Sequence, residues 1–178
     1  LFANRLVDIY NPLMAIDIFK DILIKYPDSK LYMNNIGELK KECKQKINEL
    51  KIGSSVEFLK SIKSWNSLHL VYNKSDFLLF PAKFSNGNMS INESMASGLG
   101  IIISNKINGH SDLLKHSENC FILDLNKNEF VNAVNTYIND FSLFRKHTLY
   151  NKKIITPLSA KGTAKFYKEK FDQIGLLN

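Results

Sequence analysis

Residues 75–98 read SDFLLFPAKFSNGNMSINESMASG, and this stretch decides the fold. Phe77-Leu78-Leu79-Phe80 is an apolar run of strand length. A continuous run, rather than an alternation, is what a strand buried on both faces of a parallel sheet requires. The strand is expected over Asp76 to Pro81. Ala82 to Met89 is small and polar and reads as a loop. A helix is expected from about Ser90 to Ser97, with Gly98 at its end, and Leu99 to Ser104 as the next strand. Strand, loop, helix, strand is the repeating unit of a parallel sheet wrapped by helices.

The same alternation extends outward. A first strand is expected near residues 1–7. Asn11-Pro12 reads as a helix start, with Leu13, Ile16, Phe19, Leu23 and Tyr26 at helical spacing and Pro27-Asp28-Ser29 ending it. Lys30 to Asn34 reads as a strand. Glu38 to Lys51 reads as an amphipathic helix carrying Leu39, Cys43, Ile47 and Leu50 on one face. Ser55 to Leu59 is a further strand, Trp65 to Asn73 a short helix, and Cys120 to Leu123 a sixth strand. Phe130, Val134, Tyr137 and Ile138 mark one helix; Ala160, Ala164, Tyr167 and Phe171 mark the last. The fold class is therefore α/β: a Rossmann-like parallel sheet of about six strands with helices on both faces.

Composition narrows the function classes. With 178 residues, 44% of them apolar and 11% aromatic, the chain can bury a core and is not a disordered segment. No window has the apolar length of a membrane span, and no leader-like series opens the chain. Leu1 begins on an apolar, strand-like segment, which reads as a fragment cut at a domain boundary. Cys43 and Cys120 lack metal-ligand spacing and read as buried free thiols. The four histidines form no zinc motif, and no Asp-x-Asp is present to hold a metal.

The formal net charge is +7 and uneven. Between Arg145 and Lys170 stand eight Lys/Arg against one acid, Glu169. Such a tail suits an anionic membrane surface, or is simply a solvated face. Its aromatics, Tyr150, Phe166, Tyr167 and Phe171, read as helix core rather than as stacking platforms, so nucleic acid is not expected. Among 24 basic residues only Arg5 and Arg145 are arginines. The planar guanidinium suits bidentate phosphate contact, which singles out Arg5 near the end of the first strand.

In an open parallel sheet, ligands sit beyond the carboxyl ends of the strands. The 82–90 loop leads straight into a helix, whose first N–H groups attract phosphate. Gly87 permits close backbone approach. These features suit an anion site and equally an ordinary strand-to-helix turn. Glu93 has two readings as well. Ser90-Ile91-Asn92-Glu93 fits a capping box, in which the carboxylate folds back on its own helix start. Alternatively, the carboxylate accepts hydrogen bonds from the vicinal hydroxyls of a ribose.

The order of motifs resembles the C-terminal domain of retaining glycosyltransferases of family 4, which have the GT-B fold. Asn4-Arg5-Leu6-Val7 looks like the opening Gly-Arg-Leu of that family. Ser75 to Ala82 is similar to its strand before the catalytic loop. Glu93-Ser94-Met95-Ala96-Ser97-Gly98 resembles its Glu-Ala-Met-Ala-x-Gly. The likeness runs from about residue 3 to residue 171, with further matches at Tyr26 to Leu31, Gly37 to Glu42 and Val56 to Leu59.

The resemblance implies one half of a GT-B fold: a nucleotide-sugar-binding domain over 1–144 and a basic helical extension over 145–178 packed on it. The acceptor-binding N-terminal domain lies outside this chain. It implies a hexosyltransferase-type reaction from a nucleotide diphosphate sugar, with no metal and no other cofactor, the fragment alone being inactive. The implied setting is polysaccharide or lipopolysaccharide assembly in the cytoplasm, at the inner face of the plasma membrane. By matching positions, Arg5 takes the diphosphate and Glu93 the ribose. Asn86, Gly87, Asn88, Met89 and Ser90 wrap the phosphates and sugar, and backbone from Leu59 to Ile62 touches the base. Two positions depart from the pattern. Tyr10 stands where the family has a lysine, and Ser85 where its first motif glutamate contacts the sugar. A catalytically inactive relative acting as a binding partner or scaffold is the alternative that these departures raise.

Overall fold

The structure is a computed structural model and describes residues 1–59 and 69–174. The strands are β1 (Leu31–Met33), β2 (Val56–Phe58), β3 (Phe77–Phe80), β4 (Gly100–Ser104) and β5 (Phe121–Leu123). All pair in parallel, β1 with β2, and β3 with β4 and then β5. The described helices are α1 (Pro12–Lys25), α2 (Lys40–Glu49), α3 (His69–Tyr72), α4 (Met89–Ser97), α5 (Lys127–Asn139), α6 (Phe141–Ile155) and α7 (Ala160–Gln173).

Residues 1–3 join the two groups of strands. The Leu1 amine donates to the Phe77 carbonyl at 2.8 Å, and Leu79 N–H donates to the Leu1 carbonyl at 2.9 Å. On the other side, Phe2 N–H donates to Tyr32 and Asn34 N–H donates to Phe2. The spatial order is therefore β2, β1, Leu1–Ala3, β3, β4, β5, with the order reversing at Leu1–Ala3.

The sheet thus has five strands plus this short central segment, rather than six full strands. The strand expected over 1–7 stops at Ala3. Beyond it Leu6 bonds across to the loop after β1, its N–H donating to Ile36 and its carbonyl accepting from Leu39 N–H; the chain then turns, with Val7 N–H bonding to Arg5, Tyr10 N–H to Val7, and Asp8–Tyr10 forming one 3-10 turn. Leu6 is buried and Arg5 exposed, which mimics a strand's alternation without its ladder. Of the helix expected over Trp65 to Asn73, residues 65–68 lie outside the described residues; His69–Tyr72 is helical.

The sheet separates two apolar layers. Phe2, Ile16, Phe19, Met33, Leu79, Ile102, Phe130 and Tyr137 pack on one face, under α1, α2 and α5. Leu1, Leu78, Phe80, Ile91, Met95, Ile101, Ile103 and Ile155 pack on the other, under α4 and α6. Neighbouring residues of β3 and β4 serve opposite layers, so the apolar runs are continuous because both faces are covered. Each such side chain contributes about 1.5–3 kcal/mol relative to exposure.

The helix boundaries follow local chemistry. Pro12 occupies the first turn of α1, where its missing N–H costs nothing. Asn126, Asp140 and Ser159 cap α5, α6 and α7 through their side chains. The expected boundary between residues 144 and 145 falls inside α6, which packs into the body through His147, Thr148, Asn151 and Ile155. In contrast, α7 buries no residue. Tyr150, on the outer side of α6, is exposed rather than core, and so are Phe166, Tyr167 and Phe171 of α7, which buries no residue after the 3-10 turn at Thr156–Leu158.

Candidate functional site

The carboxyl rim of the sheet gathers the turn after Ala3, the loop after β1, Leu59, the loop after β3 and the loop after β4. Parallel strands point all five the same way. At the switch point, the turn carrying Asn4 and Arg5 meets the loop leading into α4.

That helix begins at Met89. Asn88 is its cap residue, with extended backbone and Oδ1 accepting from Ser90 N–H at 3.0 Å. The Ser90 hydroxyl donates to the same Oδ1 at 2.6 Å and stands 3.3 Å from Asn4 Oδ1. One hydroxyl proton serves the nearer oxygen. Asn4 is buried, and its Nδ2 has no partner among the described residues. The position next to Arg5 thus carries an unclaimed amide donor at the helix amino terminus. The arginine itself is exposed, and no ion pair or hydrogen bond holds its guanidinium among the described residues.

The cap excludes the capping-box reading of Glu93. A capping box needs Ser90 as cap residue and Glu93 three positions later. With Asn88 as cap, the third helical position is Ile91, and Glu93 lies more than a turn inside α4. Its carboxylate instead accepts a short hydrogen bond from the Tyr72 hydroxyl through Oε2. Tyr72 is buried, and that burial, followed by the hydrogen bond and charge of Glu93, pushes its pKa far up. The phenol stays protonated and donates. Glu93 is half-buried, and its Oε1 has no protein partner among the described residues.

Ser85 is buried and built into the scaffold. Its N–H donates to the Lys106 carbonyl, its carbonyl accepts from Asn108 N–H at 2.7 Å, and its hydroxyl donates to the Gly87 carbonyl at 3.1 Å. Asn86, Gly87 and Met89 are exposed, while Asn88 is half-buried. Gly87 has φ +116°, a conformation that side chains disfavour. From below, Gly109 approaches so closely that a Cβ there would stand 2.7 Å from the Asn86 carbonyl oxygen. His110 lies beside Gly87; burial lowers its pKa, and its Nδ1 has no partner among the described residues. The ring lines a pocket of about 240 Å³ with Ile103, Asn108 and Leu114.

Tyr10 is half-buried, its ring edge-on to Phe80 at 5.6 Å between centroids. It packs against both apolar layers. A lysine does reach this rim, but from another loop. Lys83 Nζ pairs with Asp8 at 2.6 Å, and Lys83 N–H donates to Ile9. Leu59 N–H donates to Met33, continuing the β2 pairing at the rim. Residues 60–62, expected with Leu59 at the base, lie outside the described residues. Both cysteines are free and buried, with burial pushing Cys43 up to about 11 and Cys120 up to about 12, so neither is a thiolate at neutral pH.

Asn4, Tyr72, Lys83 and His110 received no role from sequence. Asn4 lay inside a quoted motif, and only Arg5 was read from it. A tyrosine on a short helix carries no signal beyond core packing.

A sheet that reverses at a central segment, with a capped helix and a small polar loop at that point, defines a doubly wound α/β domain, a class in which ligands bind at the switch point. The chain belongs to the glycosyl transferases group 1 family, whose model matches residues 1–153. It is 31% identical over 121 residues to an uncharacterized glycosyltransferase of Haemophilus influenzae, covering 67% of this chain and 33% of that protein. Its fold matches the pneumococcal O-GlcNAc transferase GtfA, solved with UDP and GlcNAc, at TM-score 0.80 and 12% identity, over 97% of this chain and 35% of that one. It also matches the C-terminal domain of the group 1 glycosyl transferase LpcC of Francisella tularensis at TM-score 0.74 and 19% identity, over 88% and 82%. Anabaena HepE, solved with UDP-glucose, matches at TM-score 0.73 and 20% identity, over 87% and 44%. The chain spans about a third of the length of the curated relative.

Proposed function

We propose that this chain is the donor-binding half of a retaining, family 4 glycosyltransferase of the GT-B fold, taking a hexose from a nucleotide diphosphate sugar. The observation that carries the reading is the meeting of the Asn4–Arg5 turn with the amino terminus of α4, through the 3.3 Å approach of Asn4 to Ser90. It sets an unpartnered amide donor at a helix amino terminus, one residue from Arg5, whose guanidinium we read as turning to the same point. As the glycosidic bond breaks, charge grows on the leaving diphosphate, and preorganised donors stabilise it. Arg5 and the first turn of α4 supply them without a metal. Glu93 holds the ribose, and the 86–90 loop wraps the diphosphate and sugar. Tyr10 adds a hydroxyl to the phosphates, Ser85 shapes the loop beside the sugar, and Leu59 flanks the base.

The acceptor would bind an N-terminal domain outside this chain, so this chain alone binds donor and transfers nothing. Among the described residues no helix is long and apolar enough to cross a membrane. The basic, aromatic face of α7 suits peripheral contact with anionic lipid, which fits assembly of a surface polysaccharide or lipopolysaccharide at the inner face of the plasma membrane. Titration of UDP, GDP and ADP into the chain and into Arg5→Ala tests the reading; the arginine's loss should weaken binding of whichever nucleotide binds best.

A second reading has its own observation. The Ser85 hydroxyl is spent on Gly87, and the Tyr10 ring is engaged with Phe80. A domain with both positions turned to structural work suits a non-catalytic partner of an active transferase. Full-length protein that binds no nucleotide sugar supports it.

A further inference from the structure

We infer that Tyr72 is the positioning residue of Glu93, fixing that carboxylate to receive two vicinal hydroxyls of a ligand. The inference rests on the proposed nucleotide site and deepens it. Tyr72 ends α3, and its ring is sealed in the apolar layer with Leu78, Ile91 and Met95. The hydroxyl alone emerges from that layer, and it meets Glu93 Oε2. A ring held in the core has no freedom to follow a moving carboxylate, so the carboxylate is held to the ring.

A half-buried glutamate with three rotatable bonds otherwise samples several rotamers, and ordering it on binding costs free energy. Here the ordering is done before a ligand arrives. The bond also leaves the second oxygen, Oε1, unclaimed by the described protein, while Oε2 keeps lone pairs beyond the one that Tyr72 uses. With Tyr72 donating from beneath, the carboxylate presents acceptor oxygens to the rim, which suits hydroxyl groups. The arrangement separates two tasks along the rim: Arg5, Asn4 and the α4 amino terminus take charge, and the Tyr72–Glu93 pair takes hydroxyls. The ligand feature that it reads is a cis-diol, as in a ribonucleotide.

The test compares UDP with 2′,3′-dideoxy-UDP on the chain, on Tyr72→Phe, on Glu93→Ala and on the double variant. Phenylalanine keeps the ring in its layer, and thermal melts show whether each variant is folded. On the unaltered chain UDP should bind more tightly than the dideoxy compound. Tyr72→Phe should weaken UDP by about three- to tenfold while leaving the dideoxy compound unchanged, the range of one lost hydrogen bond. In the Glu93→Ala background the same change should cost UDP nothing further. A merely structural staple between α3 and α4 moves both ligands together or neither, and either result overturns the inference. If UDP and its dideoxy analogue bind the unaltered chain equally, the ribose role of Glu93 falls first and this inference with it. If neither binds, the nucleotide site itself is wrong.

Discussion

The Asn4 carboxamide oxygen lies 3.3 Å from the Ser90 hydroxyl, which ties the turn after the central strand segment to the first turn of α4. The contact crosses 86 residues of sequence. It brings two loops that sequence reading had assigned separately to one point on the sheet rim. Asn4 Nδ2 is buried without a partner among the described residues, so that point carries a free amide donor beside the Asn4 and Asn88 carboxamide oxygens.

Asn4→Asp is therefore a sharp probe. The side chain keeps its shape and exchanges the free donor for a negative charge. At the start of a helix that charge favours the folded chain. The same charge repels a diphosphate, and at an effective dielectric near 20 a like charge a few ångströms away is worth more than about 1.4 kcal/mol, or tenfold in affinity. Thermal melts should show a melting temperature held or raised, while calorimetry shows UDP binding at least about tenfold weaker.

Gly109 supports the loop from beneath. It has φ +82°, and a Cβ would stand 2.7 Å from the Asn86 carbonyl. Gly109→Ala should cost about 1–2 kcal/mol from the left-handed backbone alone, with the displacement of Asn86 added to it. A lowered urea midpoint at unchanged slope reports the stability loss. Weaker nucleotide binding at temperatures where the variant stays folded reports the shift of the loop.

His147 sets a pH dependence away from the site. It is fully buried, with Nδ1 2.9 Å from the Tyr137 hydroxyl and Nε2 without a partner among the described residues. Burial lowers its pKa in the folded chain. Below its ordinary value, about 6.5, the unfolded chain takes up a proton that the folded chain resists. The contribution is complete above that pH and declines as pH falls toward the folded-state value. Melting temperature should drop as pH falls below about 6.5, and His147→Gln should flatten that part of the profile, even if it lowers stability throughout.

Much of this architecture was legible. Phe77–Phe80 and Ile101–Ile103 are apolar without interruption because both faces of the sheet are covered, as buried parallel strands require. Of residues 1–7, expected as strand, 4–7 depart from it; Leu6 is buried and Arg5 exposed there, and that alternation is all that sequence offers. Asn88 and Ser90 are both good cap residues, and spacing alone cannot choose between them. The choice depends on where the chain leaves β3, and it decides whether Glu93 is a cap or free for a ligand. Tyr72 was illegible as a site residue, since its ring behaves as core and only the hydroxyl reaches Glu93. In α7 the helical spacing of Tyr167 and Phe171 marks a face but not what covers it; the described domain leaves both exposed.

The central claim is that Arg5 and the α4 amino terminus together receive a diphosphate. Calorimetric titration of UDP into the chain and into Arg5→Ala, at low and at moderate salt, addresses it most directly. The account predicts that losing the guanidinium weakens UDP by about tenfold or more, while uridine, which lacks phosphate, binds both proteins alike. Equal UDP affinity for the two proteins would contradict it, and would leave the Asn4–Ser90 contact as a structural tie with no anion behind it.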